Sequence, residues 1–246
     1  MEKSTYKIGF QKVKGGWVNY LMFLGIALLF TNKYLGLFLL VLDIIFTVIY
    51  KNSSENKSAV SFNYGLKCVN EGNIIEAKEY IKEAIEFNNL NREAYFFLGC
   101  ILFDEGDYTN ALDYLKRGHV DEIKDPSLYY VVGRCYFHTE NYEKCISYLE
   151  SISYEGNENL EKERLFTLGK ACAEIEDYER AYGILKKLQY SLEDLKGEVL
   201  EYYYYLGVAA YHTDRMEEAE KYLKKVNEVD KAYKNIDLYI NNLETK

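Results

Sequence analysis

Residues 92–125 carry the hydrophobic pattern that most of the chain repeats. An apolar run around Gly99 leads to a polar turn at Gly106, and a second apolar stripe then includes Ala111 and Leu115. Residues four apart share one face of a helix, so the pattern predicts two helices joined by a short turn. Helices cross closely only where side chains are small, and Gly99 and Ala111 therefore mark the predicted crossing.

The same size pattern occurs five times along the chain. The first helix of each copy contains a glycine, and successive glycines are 34, 34, 36 and 38 residues apart: Gly65, Gly99, Gly133, Gly169 and Gly207. A small residue follows twelve positions later, namely Ala77, Ala111, Cys145, Ala181 and Ala219. A branched apolar residue follows sixteen positions later, namely Ile81, Leu115, Leu149, Leu185 and Leu223. Five copies with these positions filled predict an array of helix pairs.

The array resembles the tetratricopeptide repeat, a helix–turn–helix family with a period of about 34 residues. The resemblance covers residues 58–226 and is strongest at the glycine, alanine and leucine positions. It departs where Ser61 and Leu165 replace the large aromatic residue of the first helix, and no copy ends in the proline of the family. The resemblance implies an all-α fold, a right-handed α-solenoid of about five repeats. Residues 227–246 carry one apolar stripe and are predicted to form a C-terminal capping helix.

A different pattern precedes the repeats, because residues 17–50 are almost free of charge. Two apolar runs, 17–30 and 34–50, flank a polar turn at Asn32. One helix over both runs would be about 51 Å long, which is too long for a hydrocarbon core of about 30 Å. A cleaved signal peptide is disfavoured, because no small-residue cleavage site follows the first run. The sequence predicts a transmembrane helical hairpin, with a shallow re-entrant hairpin as the alternative. A charged Asp43 side chain at that depth costs free energy. It either pairs with another group or is tolerated in a thin span.

Charge divides the chain at the same place. Residues 1–16 form a basic N-terminal segment and residues 51–57 are interpreted as a polar linker. Residues 1–57 carry a net charge of +4 and the remainder −13. Lysines flank the hairpin, with Lys33 alone at its turn, so the positive-inside bias predicts a cell-membrane protein whose repeats lie in the cytoplasm. The acidic repeats are unsuited to nucleic acid, because phosphate contacts need a basic face.

The sequence contains no motif for catalysis, a cofactor or a metal. Three histidines without ligand spacing are present, His119, His138 and His212, and five cysteines form no CxxC pair: Cys68, Cys100, Cys135, Cys145 and Cys172. We interpret the thiols as small apolar residues in a reducing compartment, and zinc would need clustered ligands. The sequence therefore predicts a protein that is not an enzyme and that has no cofactor, metal or small-molecule substrate.

A second stripe on each first helix is the candidate partner site. The residue three positions before each repeat glycine is aromatic in all five copies, and the residue four positions after it shares the same face. In the resembling family this face lines the concave groove where peptides dock. The candidate partner-binding groove comprises aromatic residues of the stripe and two neighbouring cations: Phe62, Phe96, Phe103, Tyr130, Arg134, Phe137, Phe166, Lys170, Tyr204 and Tyr211. The alternative is that the rings only pack neighbouring first helices together.

These features predict a membrane-tethered protein–protein interaction scaffold that binds a partner peptide or protein through the groove, with partly exposed rings. The alternative is a structural subunit of a membrane complex that assembles through the hairpin and the repeats without a peptide ligand. Family members that clamp a C-terminal carboxylate use polar residues where this chain has Phe62, Leu66, Phe97, Ser127 and Val131, which favours an apolar or aromatic-rich ligand. The sequence does not specify the partner, the pathway or the oligomeric state.

Overall fold

The computed structural model describes residues 8–154, 157–192 and 195–244, and within these ranges the regular structure is all helical, without strands. The helices among these residues are α1 (Val18–Leu28), α2 (Lys33–Asn52), α3 (Ser54–Asn70), α4 (Ile74–Phe87), α5 (Arg92–Asp104), α6 (Tyr108–Arg117), α7 (Val120–Ile123), α8 (Pro126–His138), α9 (Tyr142–Glu150), α10 (Glu158–Glu174), α11 (Tyr178–Leu185), α12 (Glu198–His212), α13 (Met216–Val229) and α14 (Ile236–Glu244). They belong to two compact units, Met1–Ile123 and Lys124–Lys246. The prediction of an all-α fold is confirmed.

The five predicted helix pairs are present, two in the first unit (α3/α4 and α5/α6) and three in the second (α8/α9, α10/α11 and α12/α13). Each repeat glycine lies beneath the branched residue sixteen positions later. A Cβ added at Gly99 would stand 2.7 Å from Leu115 Cγ, and one at Gly65 would stand 2.5 Å from Ile81 Cδ1. The glycines therefore make room for a Leu or Ile side chain at every crossing, while the neighbouring small residues such as Ala111 are fully buried.

Each turn within a pair has a left-handed residue seven positions after the repeat glycine. In the first unit this residue is a glycine, Gly72 at φ 82° and Gly106 at φ 84°; in the second unit it is Glu140, Glu176 or Asp214, with φ between 59° and 63°. The next residue caps the second helix in three of the turns, since the side chains of Asn73, Asp107 and Asn141 accept a hydrogen bond from a backbone N–H of the first turn. The chain reversal is thus specified locally.

Helix α8 begins with a cap formed by neighbouring residues. Asp125 Oδ1 accepts hydrogen bonds from the backbone N–H groups of Ser127 at 2.9 Å and Leu128 at 3.0 Å, and Pro126 is the first helical residue. A proline costs nothing at this position, because its missing N–H has no partner within the helix.

Helices α1 and α2 pack together as a hairpin whose turn is capped by Asn32, as expected. Gly25 and Gly36 are buried where the helices touch, and a Cβ at Gly36 would stand 2.8 Å from the Gly25 carbonyl oxygen. With 11 residues, α1 is about 16 Å long, whereas α2 with 20 residues is about 30 Å long. Among the described helices, α2 is the one long and apolar enough to cross a membrane, with a mean hydropathy of 2.0.

Asp43 lies in the middle of α2. Its Oδ1 atom is buried and has no hydrogen-bond partner among the described residues. The hairpin therefore does not supply a pairing group for this oxygen.

Several predicted boundaries are wrong. Residues 51–57 are not a linker, because α2 continues to Asn52 and α3 begins at Ser54; only Ser53 between them is extended, and it caps α3 by accepting the Asn56 N–H. Most polar side chains in this stretch lie on exposed helix positions, and Asn56 is buried. The first repeat consequently starts before Ser58, whose hydroxyl is buried and donates to the Ala84 carbonyl.

The chain end also differs from the prediction of one capping helix over residues 227–246. Helix α13 continues to Val229, and a separate helix, α14, follows and packs against α12 and α13. Residues 245–246, like residues 1–7 of the predicted basic segment, lie outside the described residues.

Candidate peptide-binding surface

The first-helix face is the side of each first helix that carries the residues three before and four after the repeat glycine. Six of the ten candidate groove residues on it are at most 6 % exposed: Phe62, Phe96, Phe103, Tyr130, Phe166 and Tyr204. The expectation of partly exposed rings is wrong for these six. The rings fill space inside each unit; Phe96, for example, lies so close to Gly118 that a Cβ there would stand 2.6 Å from its Cε1.

The other four candidates, Arg134, Phe137, Lys170 and Tyr211, are half-buried and lie in the second unit. Arg134 donates to the Tyr130 hydroxyl at 2.8 Å. The Lys170 ammonium lies 4.8 Å from the centre of the Phe137 ring and 4.5 Å from that of Phe166. Cations held over ring faces are attracted by the ring quadrupole, so Lys170 links Phe137 and Phe166, while Arg134 lies beside Tyr130.

Acidic residues lie beside both the Arg134–Tyr130 contact and Lys170. The Tyr130 hydroxyl donates to Glu163 at 3.0 Å, and Lys170 forms an ion pair with Glu201 at 3.1 Å. Desolvation, together with the charges of Arg134 and Lys170, lowers the pKa of nearby His138 to about 4, so this imidazole is neutral at pH 7.

At the end of the second unit, helix α14 covers part of the first-helix face of α12. The Tyr239 ring lies 5.3 Å from that of Tyr211 and 6.5 Å from that of Tyr204. The two candidates on α12 therefore contact the chain's own last helix.

The cysteines are buried as the sequence predicts, and none of the five forms a disulfide. Burial raises the pKa of Cys145 to about 12 and that of Cys172 to about 11, so both thiols stay protonated at pH 7. Within the described ranges no group of three His, Cys, Asp or Glu side chains is placed to hold a metal ion.

A polar site in the first unit was missed by the sequence analysis. Residues 8–14, here called the docked segment, lie along α3 and the start of α5. The Asn63 carboxamide accepts a hydrogen bond from the Gln11 N–H at 2.7 Å and donates to the Gln11 carbonyl at 2.8 Å. Asn56 holds the N–H and carbonyl of Lys14 in the same way, at 2.7 and 2.8 Å. Two asparagines of α3 thus bind main-chain groups of the segment.

The spacing of the two asparagines matches an extended chain. Asn56 and Asn63 are seven residues apart, which is about 10 Å along a helix. Lys14 and Gln11 are three residues apart, and three residues of extended chain also span about 10 Å. Because Lys14 pairs with Asn56 and Gln11 with Asn63, the segment runs opposite to α3.

Every third residue of the docked segment contacts the repeats. Ile8 packs against the apolar cluster that contains Phe62 and Leu66. The Gln11 carboxamide exchanges two hydrogen bonds with that of Asn91, at 2.7 and 3.0 Å, and Lys14 forms an ion pair with Glu55. The residues between them, including Phe10 and Val13 with exposed fractions of 65 % and 42 %, face outward.

Two family models match parts of the chain that contain the helix pairs. A family model described as anaphase-promoting complex, cyclosome, subunit 3 matches residues 70–152. A tetratricopeptide repeat model matches residues 200–233. No curated protein matches the sequence.

Solved structures share the fold at low sequence identity. YrrB, described as a TPR protein with an unusual peptide-binding site, is 16 % identical over 80 % of this chain and 96 % of its own, with a TM-score of 0.57. MamA from Desulfovibrio magneticus RS-1 is 21 % identical over 73 % of this chain and 98 % of its own, with a TM-score of 0.53. A tetratricopeptide repeat protein from Parabacteroides merdae is 16 % identical over 76 % and 72 %, with a TM-score of 0.52.

The family models and the shared fold support the tetratricopeptide repeat family for the helix pairs. Repeats of this family generally mediate protein–protein interactions, and the fold is typically a non-catalytic interaction scaffold.

Proposed function

We propose that the protein is a membrane-tethered scaffold that binds an extended segment of a partner protein along the first helices of its repeats. The observation that carries the proposal is the pair of hydrogen bonds between the Asn63 carboxamide and the main chain of Gln11. This contact uses only main-chain groups of the bound segment, which every residue except proline offers. A surface of this kind is suited to an extended polypeptide rather than to a folded domain or a small molecule.

The second unit offers a candidate surface of its own. Phe137 keeps part of its ring accessible beside the Lys170 cation, and Arg134 and Tyr211 are likewise half-buried there. Aromatic and arginine side chains dominate the energy of many protein interfaces. The six buried rings belong to the cores of the two units and are not themselves proposed as contacts.

The hairpin supports the membrane tether. Large apolar side chains of α1 and α2, such as Phe23, Phe38 and Ile44, are more than half exposed, and exposed apolar surface on this scale is typical of a membrane or protein contact. The ring centres of Trp17 and Tyr50 lie 6.0 Å apart, so the two ends of the hairpin meet on one side. With lysines near those ends, the positive-inside bias puts both ends and the repeats in the cytoplasm.

Photo-cross-linking tests the binding surface without removing a contact. A benzophenone amino acid is placed in the full chain at Phe137 or Tyr211, on the first-helix face, and at the exposed controls Lys144 and Lys221 on second helices. We expect one partner to be cross-linked in the native membrane from the face positions and not from the controls. Cross-linking from the controls alone would contradict the proposal. Cross-linking only to a second copy of the chain would favour a self-assembling structural subunit.

Thiol labelling tests the tether and its orientation. The native cysteines are buried, so an exposed residue, Asn89, is replaced in the variant Asn89→Cys. An impermeant maleimide should label this variant only after the cells are permeabilised, and carbonate washing should leave it in the membrane fraction. Labelling in intact cells would place the repeats outside, and release by carbonate would remove the tether.

A further inference from the structure

We infer that the docked segment is the resident occupant of the peptide site on α3 and α5, and that the partner is an extended peptide of the same chemistry that must displace it. This inference rests on the proposed function and names the ligand class and the competition at its surface. The ligand carries an apolar residue, a carboxamide and a basic residue at intervals of three, as Ile8, Gln11 and Lys14 do.

The site has buried polar groups that bind the docked segment. Asn56 is 4 % exposed, and its Oδ1 accepts a hydrogen bond from the Lys14 N–H of the docked segment. Asn91 is 9 % exposed; it also donates to Ser58 and accepts the Ala94 N–H, and the Gln11 carboxamide adds two further hydrogen bonds. A buried amide without a partner is unfavourable. The site therefore favours an occupant with main-chain groups opposite Asn56, and a carboxamide adds contacts at Asn91.

Some contacts at the site can be made by any peptide, and others select for particular side chains. Asn56 and Asn63 bind the backbone and accept most sequences. Asn91 and Glu55 bind the side chains of Gln11 and Lys14, and Glu93 accepts a further hydrogen bond from the Gln11 amide at 2.9 Å. Two carboxylates beside the segment favour a basic peptide, in keeping with the acidic repeats.

The docked segment itself is weakly held. It presents Phe10, Lys12 and Val13 to solvent, and its Lys14–Glu55 ion pair is exposed at both side chains. Exposed ion pairs contribute little to stability. The segment is held mainly by a few hydrogen bonds and by Ile8, which a competing peptide with the same groups can replace.

The test uses the full chain in detergent and a fluorescent peptide with the sequence of residues 8–16. One variant removes the inward side-chain contacts, Ile8→Ser with Gln11→Ser and Lys14→Ser. The matched control changes the outward neighbours, Phe10→Ser with Lys12→Ser and Val13→Ser. We expect the peptide to bind the inward variant at least tenfold more tightly than the wild type or the control, because only the inward variant releases its own segment.

A second substitution locates the bound peptide. Adding Asn63→Ala to the inward variant should weaken peptide binding about tenfold, whereas adding Asn70→Ala, an exposed asparagine at the end of the same helix, should leave it unchanged. Equal affinity of wild type and inward variant, or no binding by any variant that keeps its helical circular dichroism, would overturn the inference. A photo-cross-linked partner together with such a result would leave the proposed function standing.

A cross-linking experiment decides whose segment occupies the site. In the variant Phe10→Cys with Lys67→Cys, two exposed positions that line one groove beside the docked segment, a short bis-maleimide should join the two positions within one chain, and the product should migrate as a monomer. A dimer would show that a second copy supplies the segment and would overturn the resident role.

Discussion

Gly169 lies directly beneath Leu185 where α10 and α11 cross. A Cβ at residue 169 would stand 2.6 Å from both Leu185 Cγ and Leu185 Cδ2, which is closer than carbon atoms approach without displacement. Both residues are buried, so neither has free space to move into. The absence of a single side chain at Gly169 thus lets the helix pair close.

Gly169→Ala should destabilise the second unit by roughly 1–2 kcal/mol, because overpacking costs about 1–3 kcal/mol and the better helix propensity of alanine offsets part of it. The matched control is Gly183→Ala in α11, where nothing lies within 4 Å of the added Cβ. That variant should gain about 0.5–1 kcal/mol from helix propensity. Urea unfolding measures both, and a destabilised Gly183→Ala would show that propensity does not govern the exposed site.

The left-handed turn residues of the second unit offer a gain in stability. Glu140 has φ 59°, a conformation that costs a residue with a side chain about 1–2 kcal/mol relative to a right-handed one. Glu140→Gly should therefore stabilise the protein by up to about 1 kcal/mol. Glu143→Gly, three residues later in the first turn of α9, should instead destabilise it by about 0.5–1 kcal/mol. Melting temperatures that shift in the same direction for both variants would contradict this account.

The buried aromatic ladder is expected to act as core. Phe96 is 1 % exposed, so Phe96→Ala should cost about 3–5 kcal/mol of unfolding free energy. The control Ile75→Ala, at a side chain that is 75 % exposed on α4, should change stability by no more than about 0.5 kcal/mol. Thermal denaturation compares the two, and a wild-type melting curve for Phe96→Ala would return this ring to the candidate binding surface.

The Arg164–Glu161 pair should make the second unit sensitive to acid. Arg164 is 8 % exposed; its guanidinium donates to Glu161 at 2.8 Å and to the Leu149 carbonyl at 2.7 Å. The hydrogen bond from Arg164, together with one from the Tyr154 N–H, lowers the pKa of Glu161 below its ordinary value of 4.5. A lowered carboxyl pKa means that this contribution to stability is full above pH 4.5 and is lost as the pH falls through the folded-state pKa.

Glu161→Gln should therefore destabilise the protein at pH 7, and the difference from the wild type should shrink at pH 3. Glu158→Gln, an exposed position in the first turn of the same helix, serves as the control and should show a small difference at both values. Urea unfolding at the two pH values measures the effect. A difference for Glu161→Gln that is independent of pH would assign the loss to packing.

The repeat architecture could be predicted because its determinants are local. The positions of Gly99, Ala111 and Leu115 recur at helical spacing, and the cap of α8 at Asp125 depends on residues next to it in the sequence. The boundaries near Ser53 were predicted wrongly for the converse reason. Polar residues occur both in linkers and on exposed helix turns, and only the helical hydrogen bonds of α2 and α3 distinguish the two.

The sequence by itself determined the helix pairs, their crossings and the apolar hairpin, since each follows from side-chain size and period. Tertiary structure alone decided which aromatic rings are buried, because a ring such as Phe96 can face solvent or a neighbouring segment with the same spacing. It also decided the contact of Gln11 with Asn63 across 52 residues of sequence. That contact joins an amide side chain to main-chain groups, which leave no hydrophobic period in the sequence, so only the folded chain brings the two together.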